Sequence, residues 1–194
     1  MNFLAHLYLS GSDTEVQLGN FLAEGIRTKA YLDFPKGVQR GILLHREIDT
    51  FTDAHPVFRQ STKRLHGSYH HYAPVIVDLY YNHFLAKNWS VYSQKPLNEV
   101  VQNFYNLLNK NAELFTVKAK SIVPYMIKYN WLLSYESING LSNIFRQMDA
   151  RTKFLSGMSS ATEELTADYF LFEEEFTKFF PEIQLFCEKK LNEL

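Results

Sequence analysis

Apolar residues recur at spacings of three and four along almost the whole chain, and nowhere do they alternate with polar residues over the length of a strand. That period suits a helical surface and does not suit a pleated strand, whose side chains repeat every second residue. The chain is therefore expected to be all-α, a bundle of about eight helices. Asp13 suits the N-cap of a helix reaching about residue 27, Pro35 the opening of one that stops before Pro56, and Pro74 the first turn of one reaching Trp89. The segment near 2–9 opens the chain, and 56–69 fills the gap between those helices. Further helices are expected near 96–114, 123–135, 137–150 and 162–193, the last broken at Pro181. The 194 residues suit one domain spanning 1–194, with Phe154–Ser160 as an ordinary interhelical loop.

Several classes are set aside by composition. Only about a fifth of the residues are charged and 16 are Phe, which describes a packed globular chain and not a disordered one. The lone Cys187 excludes an internal disulfide and a cysteine-ligated zinc site, so the cytoplasm is the expected compartment. The apolar opening, Phe3 to Leu9, lacks a basic flank and carries His6, and is not read as a signal peptide. No apolar run approaches the roughly 20 residues of a spanning helix, so no membrane is expected. A formal net charge of −1 gives no general attraction to nucleic acid. No phosphate-binding glycine loop or Gly-x-Ser-x-Gly elbow occurs.

The segment from Gly41 to Pro56 is the exception to this apolar pattern. It holds two histidines, three carboxylates and an arginine in a stretch that otherwise reads as a buried helix. In a helix His45, Asp49 and Asp53 lie on one stripe, so an imidazole and two carboxylates can converge on one ion or phosphate. Imidazole with carboxylate suits zinc, manganese or iron. The pair His45 and Asp49 alone equally suits an intrahelical hydrogen bond.

Other helices add to it. Asp78 sits in Val75–Leu85, apolar on nearly every side, and Asn20 and Glu24 lie four apart on an early apolar helix. Converging buried carboxylates repel unless a cation lies between them. His6 and His83, lone histidines among apolar neighbours, read first as hydrogen-bonded core residues. Between Asp53 and Asp78 there is no acid, while Arg59, Lys63, Arg64 and four histidines fall in the gap, so that segment can face an anion. The nine acids from Glu163 onward read as a solvated helix face.

Taken together, Met1–Leu7, Gly19–Ala23, Gly41-Ile42 with His45-Arg46 and Ile48-Asp49, Thr52-Asp53, Ala73–Asp78 and His83–Leu85 resemble the acyl carrier protein phosphodiesterases. The resemblance implies hydrolysis of the phosphodiester that links phosphopantetheine to a serine of holo acyl carrier protein, in fatty acid biosynthesis, with manganese as the usual metal. It also implies an HD-domain-like fold through remote kinship with HD-domain phosphohydrolases, although this chain has no adjacent His-Asp pair. It departs from the family pattern at Glu24 and Asn82, where that pattern has aspartates.

The resulting expectation is a metal shell of Glu24, His45, Asp49 and Asp78. The catalytic set is Arg46, Asp53, His83, His6 and Asn20, with Arg46 opposing phosphoryl charge and Asp53 or His83 handling protons. Arg59, Lys63 and Arg64 would contact phosphate or the acidic carrier protein. Alternatives left open are an HD-like phosphohydrolase of nucleotides or another small phosphoester, and a non-catalytic helical protein that binds the carrier.

Overall fold

A computed structural model describes residues 3–153 and 155–194. Met1 and Asn2, which open the first motif, and Phe154, which opens the expected loop, lie outside the described residues. Every regular element among the described residues is helical. In chain order the α-helices are α1 (Phe3–Leu9), α2 (Thr14–Leu22), α3 (Lys36–Ala54), α4 (Pro56–Tyr69), α5 (Ala73–Lys87) and α6 (Trp89–Tyr92). They continue as α7 (Leu97–Lys110), α8 (Val117–Lys128), α9 (Trp131–Ser134), α10 (Ile138–Arg151), α11 (Ala161–Ala167) and α12 (Tyr169–Glu193). No helix is long and apolar enough to cross a membrane among the described residues.

Local chemistry accounts for most of the boundaries. Asp13 caps α2 by accepting from the amides of Glu15 and Val16 at 3.0 and 3.3 Å. Pro35 precedes α3, and His55 caps α4 with Pro56 at its first position. Four expected boundaries are corrected. The helix expected from 123 begins instead at Val117, because the Thr116 hydroxyl accepts from the Ala119 amide at 3.1 Å. It ends at Lys128, before Asn130 adopts a left-handed backbone.

α2 is also shorter than expected: it ends at Leu22, and Glu24 sits on a following 3-10 turn, Ala23–Gly25. The long C-terminal segment divides at Asp168, while Pro181 lies inside an unbroken α12. Phe172, Phe176, Phe179 and Phe180 of α12 are wholly buried. Their burial is worth about 6 to 12 kcal/mol, against about 3 kcal/mol for a proline within a helix.

One close approach positions the site. A Cβ on Gly19 of α2 would lie 2.0 Å from the Val38 carbonyl oxygen of α3, and one on Gly41 would lie 2.1 Å from the Val16 carbonyl oxygen. Only glycine at both positions lets the two backbones touch. That contact places Asn20, next to Gly19, beside His45, one turn beyond Gly41.

Candidate metal centre

His6 of α1 and His45 of α3 are buried and stack with ring centroids 4.2 Å apart. Both Nδ1 atoms meet the Asn20 side-chain oxygen, His6 at 2.7 Å and His45 at 3.0 Å. The orientation of Asn20 follows from its other end. The Ser10 hydroxyl donates to the His6 carbonyl at 2.7 Å, and so accepts from Asn20 Nδ2 at 2.8 Å. Asn20 Oδ1 therefore faces the imidazoles as an acceptor, and each ring carries its proton on Nδ1.

That tautomer turns both Nε2 lone pairs toward Asp49. His6 Nε2 lies 3.3 Å from one Asp49 oxygen and His45 Nε2 lies 3.2 Å from the other. Burial alone would raise the Asp49 carboxyl; without an ion, protons on the two Nε2 atoms make hydrogen bonds to it that outweigh burial and hold the group well below the ordinary carboxylate range. Burial, reinforced by His45, lowers His6 to about 4. Two imidazole lone pairs facing a carboxylate require a cation or protons between them. The three ligand atoms lie within 4.8 Å of one another, as a single ion needs.

The remaining expected residues divide between this centre and other networks. Burial pushes the Asp78 carboxyl up to about 6, and the charges of Asp49 and Asp53 act in the same direction. Among the described residues the group whose ligand atoms converge is His6, His45 and Asp49, without Asp78 or Glu24. Glu24 lines a narrow cavity with His6, Asn20 and His45, and pairs with Lys118 at 2.5 Å. Arg46 gives its Nη2 to the carbonyls of Ile26 and Thr28 and stacks over Tyr31.

Asp53 is exposed and shares a groove with Arg59, Lys63 and His66. Arg59 Nε also donates to the Asp53 backbone carbonyl at 2.8 Å. Arg64 turns inward to a bidentate pair with the buried Glu175 at 2.7 and 2.9 Å, and Glu175 also accepts from Ser61 at 2.5 Å. His83 has both ring nitrogens engaged, by the Tyr135 carbonyl at 2.7 Å and the Tyr169 hydroxyl at 2.9 Å. Asn82 is fully buried, accepting from the Ala5 amide at 2.9 Å and donating to the Asp78 carbonyl at 2.7 Å, so it joins α1 to α5.

Sequence reasoning did not foresee that His6 completes the cluster, nor that Asn20 stands behind both rings. Ser10, one turn after His6, was missed altogether. The only signal was positional: a histidine and a serine four apart on one face of an apolar helix.

Fold and site together define an all-helical protein with a two-histidine, one-carboxylate centre suited to a divalent ion. A model of the acyl carrier protein phosphodiesterase family matches residues 1–183, and the chain belongs to that family. An acyl carrier protein phosphodiesterase from Photorhabdus laumondii is 27% identical over 191 residues, spanning 98% of this chain and 96% of that protein. One from Escherichia coli is 29% identical over 195 residues, spanning 98% and 99%. No solved structure matches the chain significantly.

Proposed function

We propose that this chain is a metal-dependent phosphodiesterase that releases the phosphopantetheine arm of holo acyl carrier protein. The observation that carries the metal reading is the pair of imidazoles fixed by Asn20, with both Nε2 atoms 3.2 to 3.3 Å from Asp49. The donor set fits a divalent ion: neutral imidazole nitrogens, an ionised carboxylate, and a hydrogen-bonded acceptor behind each ring. His6, His45 and Asp49 would hold the ion, with Asp78 of the neighbouring α5 as a further carboxylate, and manganese is the ion the family resemblance favours. When bound, such an ion supplies Lewis acidity to a phosphoryl oxygen and acidifies water.

The chain's own groups supply the rest. Asn20 keeps both rings in one tautomer. Among the described residues the carbonyls that Arg46 meets are bound by Nη2, and its other donors would serve phosphoryl oxygens. Asp53, exposed one turn beyond Asp49, would take a proton, and Arg59 and Lys63, which share its groove, would meet phosphate oxygens. His83 and Arg64 are assigned no chemical step, since their polar atoms serve the scaffold. Glu24, tied to Lys118, lies at the rim of the imidazole cavity. The single Cys187 is buried and its thiol is pushed up to about 12, so it is not a nucleophile for the reaction.

The test is incubation of the chain with holo carrier protein and manganese, followed by mass spectrometry of the carrier. Loss of the phosphopantetheine mass, abolished by chelation and by Asp49→Ala, is the expected result. An unchanged carrier, or turnover that resists chelation, overturns the proposal.

A further inference from the structure

The acidic carrier protein needs a surface as well as a site. We propose that the groove between α8 and α10 docks the acidic face of the carrier protein; this rests on the function proposed above. Between residues 117 and 153 the chain carries six cations against two acids, in a protein whose net charge is −1; Lys118 is paired with Glu24, which leaves five cations for the surface. One of those acids, Asp149, is buried and engaged by Ser156 and the Ser159 amide, so it does not offset the surface charge.

The groove itself is lined by Lys118, Ile122, Tyr125, Tyr129 and Arg151, and continues past Tyr129 and Gln147 into a second one that includes Arg146. No carboxylate lines either groove among the described residues. Tyr125 and Tyr129 stand 53% and 47% exposed and stack 6.5 Å apart, an apolar strip flanked by cations. Aromatic and arginine side chains around an apolar strip make an interface core with a charged rim.

Charge complementarity therefore selects an acidic partner. Position selects the carrier: Lys118 at the groove's edge holds Glu24, which lines the cavity behind the imidazoles. The basic segment of α4 is less suited to dock a protein body, since Arg64 is committed to Glu175 and Arg59 to the Asp53 carbonyl.

The test measures affinity for apo carrier protein, which lacks the arm and is not consumed, by fluorescence anisotropy with manganese present. Arg146→Glu combined with Arg151→Glu should weaken binding about tenfold at low salt, and the difference should shrink as salt is raised. Arg146→Glu alone, which leaves the Arg151 stack on Trp131 in place, should give a smaller loss in the same direction. Lys189→Glu, on the remote α12, should leave affinity within about twofold. Unaltered binding by the folded double variant, or an equal loss in Lys189→Glu, overturns the proposal. Binding by the parent chain without release of phosphopantetheine would overturn the proposed activity and leave the docking surface standing, whereas release without measurable binding of the apo carrier overturns the docking surface and leaves the activity standing.

Discussion

Replacing Asn20 with alanine tests the site at its support. The change removes four hydrogen bonds: two from the imidazoles at 2.7 and 3.0 Å, one to Ser10 at 2.8 Å and one to the His6 carbonyl at 3.3 Å. All lie in the interior, where Asn20 is 1% exposed. At about 1 kcal/mol net for each bond, the metal-free chain should lose about 4 kcal/mol. For a chain of this size that corresponds to a fall in Tm of about 8 to 16 °C. The loss of ring orientation should also lower manganese affinity roughly 10- to 100-fold, the usual cost of removing a partner that orients a metal ligand. Differential scanning calorimetry with a chelator reads the first quantity, and isothermal titration with manganese the second. A Tm within about 3 °C of the parent, together with unchanged manganese affinity, would refute the role given to Asn20.

The other predictions concern the scaffold and its titration. Gly41→Ala drives a Cβ against the Val16 carbonyl and should cost about 3 kcal/mol in urea unfolding, because both helix backbones must separate. Asp78 has a folded value of about 6 against 3.8 for the free group, so the folded state keeps a proton that the unfolded state loses between those values. Stability then falls as pH rises through that window and stays lower above it. In chelator, Asp78→Asn should therefore gain on the parent by about 2 to 3 kcal/mol between about pH 4 and pH 6, with a level difference beyond, as measured by urea titration at each pH. Glu175→Ala strands Arg64 and should cost about 3 kcal/mol in unfolding while leaving kcat/KM for the carrier unchanged below the melting transition.

Much of the fold is legible in the chain because helix formation and capping are local. The three-and-four spacing marks the helices, and Asp13, Pro35 and Pro56 mark starts that the structure bears out. Pro181 misleads for the opposite reason. A breaker's local cost is set against the burial of four phenylalanines on α12, and those contacts come from distant helices. Thr116 shows a milder failure: its capping hydroxyl opens α8 ahead of the expected start near 123, and Pro124 lies inside the helix that results.

At the candidate site, the sequence by itself determined which residues could serve: the stripe of His45 and Asp49, a carboxylate in the apolar α5, and the motifs that resemble the family. Tertiary structure alone decided which of them meet. It brought His6 from the first helix onto His45, set Asn20 behind both rings, gave Glu24 to Lys118, and turned Arg64 and His83 into scaffold. The physical reason is that helical periodicity specifies the face of each side chain and not the neighbour that face will meet. That neighbour is set here by the contact of α2 with α3 through Gly19 and Gly41, residues with no side chain to announce it.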